Sequence, residues 1–372
     1  VASTLSLSVA NYKPIPVLQT NDSSSHGRVG AVSNHKSGTE DHSAATWGMP
    51  SILHIPESSS KGNNGRVASS HKGSSGETVG TGCNVLDEYS PKDSLNVEFP
   101  PYNQTRANIM RYRKQIGVNG GSWFVLENWM APSMFDCAAD GKVSEMDFLN
   151  GYGGSEKGMK SAQARLEEHW DTWIQAKDFV EMKSLGLNTF RLPIGYWHLP
   201  GSNFTKDSDF EPYREVYVNA WKYIKRAIKY ADDNDIGVLI DMHGAYGSQN
   251  AQPHSGVNNG KADFFNDFNE NKMTKLLVWL VQELEDVSNV IGIELLNEPH
   301  NTKRLWKWYS RTMDAMRKAQ TKSRDMPLYF HDAFSPSQGA EFASKRNDFV
   351  VQDTHSYFVY TQQDRDMSAS KH

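Results

Sequence analysis

From about residue 110 onward, short apolar runs alternate with stretches whose apolar residues recur every three or four positions. The runs are IGVNGGSWFVLE (116–127), TFRLPIGY (189–196), GVLIDMHG (237–244), VIGIELLNE (290–298), PLYFHDAF (327–334) and DFVVQDTHSY (348–357). Apolar runs of this length, bounded by turn residues, predict strands buried on both faces. Between them, three sets of residues predict helices with one apolar stripe: Leu166, Trp170, Trp173 and Ile174; then Tyr217, Trp221, Ile224, Ile228 and Ala231; then Met273, Leu276, Leu280 and Leu284. The first of these helices is expected to reach Gly186 as a left-handed cap, with Asn188 leading into the next strand. Repeated strand–helix units predict an α/β fold in which helices cover a parallel sheet.

Two features favour a (β/α)8 TIM barrel over an open doubly wound sheet. The glycines of GVNGGSW are followed by Trp123 and Phe124, which are expected to continue the first strand rather than open a helix, so no phosphate-binding fingerprint is present. Polar residues also close strand after strand: Glu127, Arg191, Asp241 with His243, Asn297 with Glu298, His331 with Asp332, and His355 with Tyr357. In a barrel those ends converge on one mouth, where sites are built. About six of the eight strands are expected in this chain.

Composition divides the 372 residues unevenly, since nine of ten tryptophans and fifteen of sixteen phenylalanines lie beyond residue 110. Residues 20–82, rich in Ser, Gly, Asn, His and Lys, cannot bury enough apolar surface to offset their ordering entropy. The expected organisation is a disordered tail or spacer over 1–105 and a (β/α) barrel over 106–372. A net charge of −5 and a pI near 6.2 leave no basic footprint for nucleic acid. No run approaches the ~18 apolar residues of a membrane span. Cys83 and Cys137 fit no zinc spacing and make no disulfide framework, although an oxidising compartment would allow one bridge between them. Asn21, Asn103 and Asn203 open glycosylation sequons, and no signal-peptide pattern is present in the chain.

The run VIGIELLNEP raises the chemical question, because it ends in an amide, a carboxylic acid and a strand breaker. At the rim of an apolar strand, partial desolvation is expected to raise the Glu298 carboxyl and suit it to donate a proton. Asn297 could bond a substrate hydroxyl, Arg191 could hold a neighbouring carboxylate ionised, and His355 and Tyr357 could donate from the opposite side. An acid and an ionised carboxylate about 5 Å apart form the machinery of a retaining glycosidase. Plainer readings compete. Asn-Glu-Pro often opens a helix after a strand, His243 alone reads as a structural histidine, and Asp241 reads as an orienter. Trp221 falls on a helical stripe and reads as core, whereas Trp129 and Trp197 follow strand ends and could stack on sugars. Metal-dependent hydrolysis would call for a cluster such as His-x-His on the first strand, which is missing.

The segments GVNGGSWFVLENWMAPSMF, HWDTWIQAKDF, GLNTFRLPIGYWHL, IDMHGAYGSQN, VIGIELLNEP, HDAF and DTHSYF together resemble glycoside hydrolase family 5, most closely its fungal exo-β-1,3-glucanases (glucan 1,3-β-glucosidases). The resemblance implies that Glu298 is the acid/base, with Asn297 on the substrate's 2-hydroxyl. It implies that Arg191 and Tyr357 orient the nucleophile and that His243 and His355 line the sugar subsite. It further implies that Glu127 binds hydroxyls of a terminal glucose and that Asn250 lies near the pocket. A β-glucan or other β-glucoside substrate, no metal or organic cofactor, an extracellular or cell-wall setting and a monomer are its remaining implications. Two departures stand out. Gly120 replaces a usual apolar residue and is expected to loosen packing on the first strand. After Tyr357 the chain contains no Glu, so the nucleophile and two strands are expected to be missing from it. The alternative reading is a non-catalytic carbohydrate-binding remnant of the same barrel.

Overall fold

In the computed structural model, the described residues are 76–139, 141–321, 326–357, 359 and 362–367. Most of the expected spacer, residues 1–75, lies outside them. Two short strands, β1 (Thr78–Val79) and β2 (Cys83–Asn84), form an antiparallel hairpin. Six further strands follow among the described residues: β3 (Gly117–Asn119), β4 (Thr189–Gly195), β5 (Gly237–Gly244), β6 (Val290–Glu294), β7 (Leu328–His331) and β8 (Val350–Asp353). They make one parallel sheet whose spatial order equals their chain order. A doubly wound sheet reverses direction at a switch point, whereas a barrel adds each strand–helix unit beside the last. The fold is therefore a partial (β/α)8 barrel.

Each predicted run contains a strand; β5 fills its run, Gly237–Gly244, and the other five strands are shorter than theirs. The largest difference is in 116–127, where pairing stops at Asn119 and residues 120–127 form a mostly buried loop. Gly120 does not loosen packing, because the Phe190 ring fills the space, coming within 2.4 Å of where a Cβ would stand. The helix expected to run to Gly186 is two helices, Glu156–Thr172 and Ala176–Ser184. The break falls where Gln175 N–H donates to Asp178 Oδ2 at 2.7 Å, a new N-terminal cap. Gly186, with φ +79°, follows the second helix.

Burial on both faces hides an alternation with period two. Phe190, Leu192, Ile194, Val238, Ile240, Met242, Leu328, Phe330 and Val350 join the large core shared with the helices. Their neighbours Leu239, Ile291, Tyr329 and Val351 form a second, smaller apolar cluster closed by Met110 of the helix Gln104–Tyr112. Further along the strands that second face turns polar, with Arg191, Asp241, Glu294, His331 and Asp353, all buried. Such residues survive burial only when paired, and their pairing builds the site.

The boundary expected at residue 105 is corrected. Residues 76–105 carry the β1–β2 hairpin, and Cys83 is bonded to Cys137 across 54 positions. Thr81 N–H donates to Gly151 O at 2.8 Å, and Tyr89 OH donates to Asp171 Oδ2 at 2.6 Å. This stretch lacks a core of its own and is ordered against the barrel. Among the described residues, no helix is long and apolar enough to cross a membrane.

Candidate active site

Strand β6 ends at Glu294, four residues before Glu298. Leu295 and Leu296 return to the core, and Asn297 and Glu298 stand on a turn at the sheet's C-terminal end. Glu298 adopts φ +43°, a left-handed conformation rare for a residue with a Cβ and found where surrounding structure enforces it. The loop after β5 does the enforcing. Gln249, fully buried, donates from Nε2 to His243 O at 2.7 Å and Asn297 O at 3.0 Å, and its Oε1 accepts from Ala245 N–H at 3.1 Å. Asn250 Nδ2 donates to Glu298 O at 3.0 Å, and His300 N–H donates to Gln249 O at 3.0 Å. Asn250 thus braces the backbone of Glu298. Its partner in this clamp, Gln249, was not singled out from sequence, because nothing local marks a buried glutamine as a staple between two strand ends.

Arg191 is the centre of the layer beneath. Its guanidinium donates to Glu294 Oε2 (Nε, 2.9 Å), Asn297 Oδ1 (2.9 Å) and Asn119 Oδ1 (3.2 Å), and pairs with Asp241 Oδ2 at 3.0 Å. Taking the Asn297 oxygen leaves the Nδ2 donor of that amide turned elsewhere, 3.4 Å from His254 Nδ1. Asp241 also meets His243 Nδ1 at 2.6 Å, which leaves Nε2 as the imidazole atom free of this contact. Asp241 is therefore an orienter, as its sequence position suggested. Glu294, which no local sequence signal marks, is fully buried. Burial raises its carboxyl well above the usual range, opposed by Arg191 and reinforced by the charges of Asp241 and Asp353.

Glu298 itself contradicts the expected upward shift. Burial does act to raise its carboxyl, but the hydrogen bond and charge of His355, the nearby His254 and a hydrogen bond from Tyr357 outweigh it. They hold the group well below the usual carboxylate range. His355 Nδ1 lies 2.6 Å from Glu298 Oε1, and Tyr357 OH donates to the same oxygen at 2.7 Å. Tyr357, expected beside a nucleophile, here serves Glu298. On the far side of the ring, His355 Nε2 lies 3.3 Å from Asp353 Oδ2. Burial pulls His355 down, but the bonds to Asp353 and Glu298 prevail and push it up to about 10. Burial, with the charge of His355, lowers His331 to about 4, and burial, with His243, lowers His254 to about 4.

The remaining candidates separate cleanly. Glu127 lies in the loop beyond β3, half-buried, and accepts from Trp129 Nε1–H at 2.8 Å. Trp129 is 68% exposed and available to stack, whereas Trp197 is buried, donates to Glu145 Oε1 at 3.0 Å and stacks on Phe210. Trp221 is buried, as expected of its helical stripe. Two groupings, Glu298–His331–His355 and Glu294–Asp353–His355, bring possible ligand atoms within 4.8 Å of one another. Both share His355, whose two nitrogens already face carboxylates, so the arrangement suits protons better than a metal ion.

A family profile described as cellulase, glycosyl hydrolase family 5, matches residues 153–368. Glucan 1,3-beta-glucosidase 3 of Schizosaccharomyces pombe is 34% identical over 259 residues, 68% of this chain and 54% of that protein. Probable glucan 1,3-beta-glucosidase A of Emericella nidulans is 35% identical over 262 residues, 69% of this chain and 60% of that protein. The chain thus spans between about half and three-fifths of the length of these curated relatives. Among solved structures, rutinosidase from Aspergillus niger superposes with a TM-score of 0.54 at 18% identity, covering 68% of this chain and 72% of that one. That likeness speaks for the fold alone.

Proposed function

Because this chain belongs to glycosyl hydrolase family 5, we propose that it carries the acid/base half of a retaining β-glucosidase that acts on β-1,3-glucan from chain ends. The observation that carries the reading is Glu298, held at the C-terminal mouth of the sheet between His355 and Tyr357 with Asn297 beside it. Glu298 protonates the departing sugar oxygen and then, as base, takes a proton from water. Asn297, oriented by Arg191, offers its Nδ2–H to the 2-hydroxyl. His243 lines the reacting sugar's subsite. Glu127 and Trp129 contact the terminal glucose.

The retaining mechanism needs a second carboxylate about 5 Å from Glu298. Such a neighbour would also lift Glu298 from the ionised state in which His355 holds it, because like charges oppose one another. Among the described residues Asp241, Glu294 and Asp353 are buried and engaged by Arg191, His243 or His355, so the nucleophile belongs outside this set. The relatives' names support the β-1,3-glucan assignment. The Cys83–Cys137 bridge supports an oxidising, extracellular or cell-wall setting.

The test measures glucose release from laminarin and heat on titration with laminari-oligosaccharides, for the wild type and Glu298→Gln. The expected result is a loss of turnover of about 10²–10⁴-fold with binding retained, the range of a lost general acid/base. Unchanged turnover in the variant would remove Glu298 from the role. The ionised Glu298 and the burial of Asp241, Glu294 and Asp353 favour one competing reading, a sugar-binding module without turnover. Binding by the wild type with no glucose released would establish it.

A further inference from the structure

We propose that Asp353 is a positioning residue for the reacting centre: its carboxylate engages one N–H of His355, so that the ring presents its other N–H and a fixed positive charge to Glu298. The inference rests on the reading of Glu298 as acid/base and deepens it.

The geometry leaves few alternatives. An ionised carboxylate only accepts hydrogen bonds, and a neutral imidazole donates from one nitrogen only. His355 has a carboxylate at each nitrogen, at 2.6 Å and 3.3 Å, so both contacts are satisfied only when both nitrogens carry hydrogen. Asp353 is 2% exposed, and among the described residues its Oδ1 makes no hydrogen bond. A buried carboxylate with a single side-chain hydrogen bond is costly unless a cation answers it. His355 is that cation, with Arg191 further off.

The groups facing His355 from the other elements fit the same assignment. His331, from β7, packs edge-on against it with ring centroids 4.4 Å apart. Ala333 N–H donates to His331 Nδ1 at 3.0 Å, so that nitrogen carries a lone pair and the ring is neutral. His331 therefore adds no positive charge beside His355, and Arg191 from β4 is the cation that opposes it. Glu294 from β6 and His254, held neutral in the loop after β5, complete the titratable surroundings of His355, with Tyr357 beyond; Asp332 after β7 acts on His331 and Asp241 of β5 on His254. Removing the charge of Asp353 while keeping its shape, as in Asp353→Asn, leaves an oxygen able to accept from Nε2–H but weakens the hold on the second proton. Glu298 then gains a proton more readily, which favours its acid half-reaction over its base half-reaction.

The experiment is side-chain NMR on the full chain, following the imidazole ¹⁵N of His355 and the carboxyl ¹³C of Glu298 against pH. The forms compared are the wild type, Asp353→Asn, Asp353→Glu and Glu298→Gln. In the wild type both His355 nitrogens are expected to stay protonated through pH 8. In Asp353→Asn, proton binding at His355 weakens at least tenfold, Glu298 protonates at higher pH, and Asp353→Glu restores both. A wild-type His355 that titrates like free imidazole overturns the proposal without any variant, so a failure of Asp353→Asn to fold does not shield it. Unmoved His355 and Glu298 signals in a folded Asp353→Asn overturn it as well. Turnover of Glu298→Gln judges the acid/base reading separately: if that variant stays active while Asp353→Asn still shifts His355, the coupling stands and the assigned role of Glu298 falls.

Discussion

At the scale of single residues, the site is a stack of charges whose protonation follows from what each touches. This gives the chain a definite pH profile. Burial lowers His169, His254 and His331 to about 4, below the ~6.5 of an unfolded histidine. The unfolded chain therefore binds more protons between those values. The stability these residues contribute is complete above pH 6.5 and is lost as pH falls toward 4, by about 1.4 kcal/mol per pH unit for each. His355 has the opposite sign: raised to about 10, it stabilises fully below pH 6.5 and loses that contribution as pH rises through 10. Glu298, held low, contributes above the unfolded carboxylate value and loses its share only in strong acid. Denaturant unfolding across pH 4–10 is expected to show greatest stability near pH 6–7, falling on both sides. Glu294, raised by burial, has the opposite sign above its unfolded value, one group against three, so a flat profile from pH 4 to 6.5 would mean that the three histidines are not all buried neutral.

At the scale of elements, two loops and two strand ends must agree for Glu298 to hold φ +43°. Gln249 joins them, and its substitution tests the joint. Gln249→Glu keeps the shape but turns an oxygen toward the carbonyls of His243 and Asn297, so two buried bonds become repulsions. Destabilisation by about 2–4 kcal/mol is expected from buried groups left unpaired, read as the shift in urea midpoint at constant slope. The ends of β4 and β5 are fitted in another way. Gly195, Gly244 and Gly256 face the ring of Trp197, and a Cβ on any of them would stand 2.3–2.4 Å from it. Gly244→Ala is therefore expected to cost about 1–3 kcal/mol through overpacking and to displace the adjacent His243. Thermal melts and sugar-binding calorimetry read the two effects.

At the scale of the whole molecule, the hairpin that precedes the barrel is tied to it by one covalent bond and a few hydrogen bonds. Closing a loop of 54 positions restricts the unfolded chain by about 4 kcal/mol on the loop-entropy account. Reduction, or the pair Cys83→Ser with Cys137→Ser, is expected to lower the melting temperature by several degrees. The loss should arise in the unfolded chain, leaving the protonation of His355 unchanged. A reduced protein that melts with the oxidised one would show that the contacts of Thr81 and Tyr89 suffice.

The sequence by itself determined the class of fold and the strand ends that the candidate site occupies. Apolar runs spaced by helical stripes can bury their surface in few ways, and polar residues closing each run must meet at one end of a parallel sheet. It also determined which side chains reach that end: Arg191, His243, Asn297, Glu298, His355 and Tyr357 all gather there. Strand lengths were less legible, because an apolar run looks alike whether it pairs or, like residues 120–126, packs as a loop. Only the tertiary structure decided the sign of the shift at Glu298. That sign depends on His355, 57 positions away, and on whether Asp353 or solvent faces the other side of its ring. Glu294, Gln249 and Asp353 were hidden for the same reason. A buried polar residue takes its meaning from its partner, and here the partners come from strands that meet only when the sheet has formed.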